Sequence, residues 1–290
     1  MDLAELAKKN IPMGSLSSPQ RGQHRIRAVV FDTYGTVCDF YGPFKRRFEQ
    51  LARDKGVVCD AGAMAIAWRG AYVVSSFTQA VTHSEFRPLV ESQRANLVKV
   101  LEEHFPAPVT EQELDDIVAT WDRLDPWPDT IEGLQKLKDL AVIAPLSNGN
   151  FIDMVNNARY AGLPWDLILG SSVARCYKPH PDIYTRSVEA LNMQPQEVCM
   201  VAAHQSDLAY AASFGMQTAF VRRPDEFGGI VKPENPEPGV DYMNAAEIHV
   251  EGDWTYVVDD FIDQAEQIRS SAPQRPGRSH PPPEVWSHQR

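Results

Sequence analysis

What most constrains this fold is an interruption. The run Ile26-Arg27-Ala28-Val29-Val30-Phe31 is short, apolar and bounded, which suits a buried strand of a parallel sheet. Asp32 follows at its C-terminal end, then a turn containing Gly35. From Pro43 to Leu124 the pattern is instead helical. Phe44, Phe48, Leu51 and Ala52 share one face, and Leu114, Ile117, Val118 and Trp121 share another. Thr110 with Glu113 makes a capping box. After Pro126-Trp127-Pro128 strands and helices alternate. Strands are expected at Ala141 to Leu146, Leu167 to Leu169, Val198 to Ala203 and, as the last clear one, Gln217 to Val221. Helices are expected around Leu134 and Leu137, around Phe151, Met154 and Val155, from Pro181, and from near Ser206. Such alternation implies a parallel sheet wrapped by helices.

The fold class that follows is α/β: a Rossmann-like parallel sheet core with an inserted all-helical cap domain. The core takes residues 25–42 and 126–269, and the cap takes residues 43–125, inserted right after the first strand so that it sits over the strand ends. Residues 1–24 read as a flexible arm, and residues 270–290, rich in Pro, Arg and Ser, as a flexible tail.

Charge narrows the partners. The chain of 290 residues carries 28 basic and 39 acidic side chains, a balance of −11. Nucleic acid and anionic membranes call for a net basic face, so neither is expected as a partner. No apolar run approaches the ~18 residues needed to span a bilayer. The opening MDLAELAKKNIPMG lacks the apolar stretch and cleavage site of a secretory signal. Cys38, Cys59, Cys176 and Cys199 are widely spaced, with no CxxC pair. They read as reduced thiols of a cytoplasmic protein, without a zinc site or a disulfide framework.

Ligands of an open parallel sheet bind at the carboxyl ends of its strands. The residues there are Asp32, Ser147 with Asn148, and His204 with Asp207, while Lys178 lies in a loop before a helix. Each alone has an ordinary structural explanation as a cap, turn or solvated loop. Together they supply a nucleophile, hydroxyl and amide donors, a cation and a second carboxylate from separate segments.

In this order they resemble the four motifs of the haloacid dehalogenase superfamily. FDTYGTV at 31–37, LSNG at 146–149, YKPHPDIY at 177–184 and VAAHQSD at 201–207 carry the likeness, which covers the chain from Ile26 to about Arg223. Within the superfamily the chain looks like the L-2-haloacid dehalogenase (type II) branch. Tyr34 rather than Asp stands two residues after Asp32, Trp68-Arg69 matches the branch's cap arginine, and Tyr184 follows Lys178 at the branch's spacing.

Tyr34 can also be argued physically. Superfamily phosphatases use an Asp at that position to protonate the leaving alcohol. A tyrosine with an unperturbed pKa near ~10 is a poor substitute. A halide leaves without a proton, so the site suits halide displacement better than phosphate ester hydrolysis. Tyr34 can equally pack against the turn, but the acid is missing either way. Arg69 is the only charged residue in AGAMAIAWRGAYVVSSFTQAVT. A charge in so apolar a helix needs a partner. An anion between cap and core would supply one, as would a structural carboxylate or a snorkelling conformation.

The resemblance implies a hydrolase acting on carbon–halide bonds. Asp32 would displace halide from a short 2-haloalkanoic acid, and water would hydrolyse the aspartyl ester to a 2-hydroxy acid. Arg69 and Asn148 would receive the halide, and Ser147 would bind the substrate carboxylate. Lys178 would keep Asp32 ionised, Thr36 would orient it, and Tyr184 would help hold Lys178 and the site wall. Tyr34 would stand on the substrate and halide side, and Phe86, in the cap, would form apolar wall around the halogen. Asp207, with His204 beside it, would position or activate water. His204 stands where the branch often has Asn, and reads either as a base or as a neutral donor. Ser206 replaces a frequent Trp, which suggests a roomier pocket. No metal or cofactor is expected, since the lysine takes over the metal's electrostatic task. The expected partners are a small anionic 2-haloacid and the halide product, and a homodimer accords with the branch. The competing readings are a Mg²⁺-dependent phosphatase of the same fold and a non-catalytic binding protein.

Overall fold

The computed structural model describes residues 21, 23–229, 250 and 252–271. The expected arm and Pro-rich tail lie almost wholly outside the described residues. Strand β1, Ala28–Phe31, is buried at every position. It pairs in parallel with β4, Val142–Ser147, on one side and with β6, Val198–Ala202, on the other. Beyond β4 lies β5, Leu169–Gly170, and beyond β6 lie β7, Gln217–Val221, and β8, Tyr256–Val258. The order is β5-β4-β1-β6-β7-β8, and every pairing is parallel.

Alternation within the strands explains the layering. Val29 and Phe31 point to one face with Ile143, Val201 and Val258, and Ala28 and Val30 point to the other with Leu146, Met200 and Phe220. The first face is covered by α5, Thr130–Lys138, and α10, Phe261–Ser271. The second is covered by α8, Pro181–Ala190, and α9, Gln205–Ser213. A sheet buried on both faces has no polar side, which is why its strands read as continuous apolar runs rather than as alternations.

Between β2, Cys38–Asp39, and its antiparallel partner β3, Asp125–Pro126, the chain forms four α-helices. These are α1, Tyr41–Lys55, α2, Ala61–Thr82, α3, Val90–His104, and α4, Glu111–Val118. The capping box at Thr110 and Glu113 is present. An aromatic cluster holds the helices together. Trp68 lies 4.6 Å from Phe44 and 5.5 Å from Trp121 between ring centroids. In the remaining segment, α6, Phe151–Ala161, and the short α7, Ser171–Ala174, flank β5.

Two expectations need correction. The strand expected at Leu167 to Leu169 is only Leu169–Gly170, because Asp166 and its neighbours form a loop whose carboxylate accepts from the Ile143 amide. Gln217–Val221 is not the last strand, since β8 extends the sheet at its edge. No helix among the described residues is long and apolar enough to cross a membrane. All four cysteines are free thiols.

Candidate active site

The sheet changes direction at β1, with β4 on one side and β6 on the other, so a crevice opens at their carboxyl ends. A cavity of about 100 Å³ lies there, lined by Asp32 after β1, Ser147 at the end of β4 with Asn148 after it, Lys178 in the loop before α8, and Asp207 in the first turn of α9. Helix α2 supplies the opposite wall through Arg69, Tyr72, Val73 and Phe77. The inserted helical block thus closes a site that the sheet opens.

Asp32 is the most fully held group. The Thr36 hydroxyl donates to its Oδ2 at 2.9 Å, and the Ala203 amide donates to that hydroxyl oxygen at 3.0 Å, which leaves the Thr36 proton for Asp32. Lys178 Nζ lies 3.3 Å from Oδ1, and His204 Nδ1 lies 3.3 Å from Oδ2. Burial alone would raise the Asp32 pKa, but Lys178 above all, then His204 and Arg69, hold it far below the usual carboxylate range. Asp32 is a carboxylate throughout the working pH range.

Lys178 also donates to Asp207 Oδ2, so one ammonium bridges both acids. Tyr184 was expected to hold Lys178. Its hydroxyl instead donates to Asp207 Oδ1 at 2.7 Å, because α8 carries it past the lysine to the second acid. Burial raises the Asp207 pKa, and Asp32 adds to that against the opposing pull of Lys178. Of the two carboxylates, Asp207 is therefore the more basic.

The sequence leaves His204 open between a base and a neutral donor, and the fold sets its ring between two acids. Its Nε2 lies 2.8 Å from Glu226 Oε1, and its Nδ1 faces Asp32. Burial favours the neutral ring, but Glu226 and Asp32 outweigh it and push the pKa well above 6.5. Two acids beside one ring favour its protonated form.

Ser147 Oγ accepts from the Gly149 amide at 3.2 Å. The side-chain oxygen Oδ1 of Asn148 accepts from the Lys178 backbone amide at 2.7 Å, which leaves its NH₂ group as the donor. Arg69 is buried, and its Nε and Nη1 have no hydrogen-bond partner. Its guanidinium instead lies over the rings of Phe40 and Tyr72, at 5.4 and 5.2 Å from their centroids. Among the described residues Arg69 makes no structural ion pair and does not snorkel to solvent, and its cation stands beside the cavity.

Two expected substrate-side residues are not at the cavity. Tyr34 is clamped edge-on between Tyr72 and Trp121, at 5.6 and 5.0 Å, and lines no part of the cavity. Burial raises its phenol further above 10, so it is an even weaker acid than its residue type suggests. Phe86 lies beyond the end of α2, where it stacks on Tyr177 at 5.1 Å and under Arg175, walling a separate pocket with His83 and His180. The apolar wall belongs to Tyr72, Val73 and Phe77, which are one helical turn or two beyond Arg69.

Glu226 was missed from the sequence, although it follows the carboxyl end of β7 and the rule that selected the other residues reaches it. It is fully buried in a turn after Val221.

A parallel sheet with helices on both faces, an ionised aspartate at its switch point and a lysine bridging that aspartate to a second acid define an α/β hydrolase of the covalent-carboxylate class. The family model described as haloacid dehalogenase-like hydrolase matches residues 26–215, and the chain belongs to that family. It is 29% identical over 210 residues to (S)-2-haloacid dehalogenase 4A of Burkholderia cepacia, covering 68% of this chain and 84% of that protein. It is 30% identical over 207 residues to (S)-2-haloacid dehalogenase of Xanthobacter autotrophicus, covering 68% and 76%. Among solved structures, a defluorinating L-2-haloacid dehalogenase matches 87% of this chain and 100% of its own at 35% identity, with a TM-score of 0.77. The L-2-haloacid dehalogenase of Xanthobacter autotrophicus with chloropropionic acid covalently bound matches 85% and 100% at 25% identity, with a TM-score of 0.69.

Proposed function

We propose that this protein hydrolyses short L-2-haloalkanoic acids to 2-hydroxy acids through an ester on Asp32, without a metal. The observation that carries this reading is the pairing, across one cavity, of an ionised Asp32 with an unpartnered buried Arg69. A small anion answers the cation, and an electrophilic carbon held by that anion answers the carboxylate. The named activities of the relatives and the covalent chloropropionate complex of one of them support the same chemistry.

In the first step Asp32 Oδ1 attacks the halogen-bearing carbon in line and the halide departs with the bonding electrons. Arg69 and the Asn148 NH₂ group receive it, and Ser147 meets the substrate carboxylate. In the second step water attacks the Asp32 carbonyl carbon, and Asp207, kept basic by burial, takes its proton. The substrate carbon is inverted once, because the second step breaks the acyl bond instead.

Mg²⁺ does not suit this donor set. The Lys178 ammonium already takes Asp32 Oδ1 and Asp207 Oδ2, while Thr36 and His204 face Asp32 Oδ2 and Tyr184 donates to Asp207 Oδ1, so all four carboxylate oxygens are engaged. Halide release from L-2-chloropropionate is therefore expected to proceed unchanged in excess EDTA. D-2-chloropropionate, chloroacetate and fluoroacetate complete the panel. Multiple turnover in ¹⁸O-water should place label in the Asp32 side chain, read by peptide mass spectrometry. No halide from any of the four, together with Mg²⁺-dependent release of phosphate from an ester, would assign the site to the phosphatase reading.

Arg69→Met separates binding from folding. Loss of the anion's cation should remove about 2–5 kcal/mol from kcat/KM. The same change removes an unpaired buried charge, so the melting temperature should stay level or rise. A variant with full kcat/KM would remove Arg69 from the site.

A further inference from the structure

We propose that Glu226 is a positioning residue that holds His204 protonated on both ring nitrogens, so that His204 and Thr36 together cradle Oδ2 of Asp32 as the oxyanion when the ester is hydrolysed. The inference rests on the covalent reading above and deepens its second step.

The two oxygens of Asp32 are not equivalent. Oδ1 faces Lys178, while Oδ2 accepts from the Thr36 hydroxyl at 2.9 Å and lies 3.3 Å from His204 Nδ1. An oxygen with a hydroxyl and an imidazole nitrogen on it is poorly free to attack carbon. Oδ1 becomes the ester oxygen, and Oδ2 remains as the carbonyl.

The state of His204 follows from what surrounds it. A carboxylate only accepts hydrogen bonds. His204 has one at each nitrogen, Asp32 at Nδ1 and Glu226 at Nε2, at 2.8 Å for the latter. Both nitrogens satisfy their neighbours only as donors. Without Glu226 the proton on Nδ1 would compete with the tautomer that leaves a lone pair facing Asp32.

The chain is arranged around this contact. Gly35 adopts φ 91°, and a Cβ there would overlap the Glu226 carboxylate. A glycine at this turn serves its own backbone and clears the space that the glutamate fills. Arg223 ties the Glu226 turn to the nucleophile loop. Its Nε donates to the Thr36 carbonyl at 2.8 Å, and its two terminal nitrogens donate to Asp129 at 2.8 and 2.9 Å. The Glu226 amide donates to the Arg223 carbonyl at 3.1 Å, so Arg223 links the turn that carries Glu226 to Thr36, one of the two residues on Oδ2.

The step balances as follows. Water adds through oxygen to Cγ of the ester, one of its protons passes to Asp207, and the carbonyl electron pair moves onto Oδ2. Collapse re-forms the Cγ–Oδ2 double bond and breaks the Cγ–Oδ1 bond, and the departing alkoxide takes the proton from Asp207. The water oxygen stays on Asp32 as a carboxylic acid that loses its proton to solvent. His204 neither gains nor loses a proton, and Glu226 touches no reacting atom.

The test is Glu226→Gln, which keeps the shape and removes the charge. Loss of one oxyanion donor elsewhere costs about 10²–10³ in rate. Here the ester-hydrolysis step is expected to slow by about tenfold to a hundredfold, a weakened donor rather than a missing one. The rate of the first halide burst should stay near wild type. Quenched samples should then carry more of the alkylated Asp32 peptide by mass spectrometry than wild-type samples taken at the same time. Equal slowing of burst and turnover, or normal turnover without ester, overturns the proposal. Wild-type ¹⁵N imidazole spectroscopy near neutral pH is the independent readout. Two protonated nitrogens on His204 support the proposal, and a singly protonated ring overturns it. Should wild type release no halide at all, the proposed activity fails, while the spectrum still decides what Glu226 does to His204.

Discussion

Asp32→Asn is expected to abolish turnover of 2-haloacids while leaving the fold intact. An amide oxygen is a far weaker nucleophile than a carboxylate, and removal of a covalent nucleophile in comparable enzymes costs about 10⁴–10⁶ in kcat. A fall of at least about 10⁴ in halide release is the expected result here. The substitution is nearly isosteric. The amide oxygen still accepts from Thr36, Lys178 keeps Asp207, and His204 keeps Glu226, so no buried cation is orphaned. The melting temperature and near-ultraviolet circular dichroism should stay close to wild type, and substrate binding should persist because Arg69 is untouched. A folded variant that retains a tenth or more of the wild-type rate would show that the carboxylate is not the nucleophile. A binding protein would tolerate this change, so the experiment also separates enzyme from non-catalytic relative.

The sheet was readable because its strands are buried on both faces and therefore announce themselves as apolar runs. Val198 to Ala202 and Gln217 to Val221 needed no pairing partner to be seen. The strand expected at Leu167 to Leu169 starts two residues early and misses Gly170, because a short apolar run looks the same in a strand as in the loop that feeds it. Of the site, the strand-end residues were legible for the same reason as the strands. Asp32, Ser147, Asn148 and Asp207 follow apolar runs and converge wherever a parallel sheet forms. Lys178 was found by motif order instead, since its loop carries no periodicity.

What the sequence withheld was direction. Tyr34 and Phe86 are of the right residue types and near the right segments, yet one ring turns into the aromatic cluster and the other folds onto Tyr177. Side-chain direction depends on packing between segments far apart in the chain, and no local pattern records it. Glu226 was overlooked for a related reason. It sits among Arg222, Arg223 and Asp225, where a solvated turn is the ordinary reading, and only burial sets Glu226 and Arg223 apart from their exposed neighbours.

Lys178→Met should damage activity and stability together, in a way that depends on pH with a definite sign. The ammonium is the shared partner of two buried carboxylates, so its removal leaves like charges facing one another. Breaking a buried pair from one side costs about 3–5 kcal/mol, and a loss of that size is expected near neutral pH by denaturant unfolding. In wild type the depressed pKa of Asp32 contributes stability that is present above its unfolded value of 3.8 and is lost as the pH falls through the lower folded value. Without Lys178 the burial that opposes ionisation prevails, and the carboxylate pKa rises above the unfolded value instead. Such a group destabilises the fold above its raised pKa and ceases to do so once it is protonated. The stability gap between wild type and variant should therefore be widest near neutral pH and should narrow as the pH falls. Activity should move the other way. Only the ionised Asp32 can attack, so the acid limb of single-turnover halide release, absent from the working range of wild type, should shift toward neutral pH, and the residual rate should climb as the pH is raised. A variant whose stability gap did not change with pH, or whose residual rate was flat across the same range, would mean that Lys178 does not set the charge of Asp32.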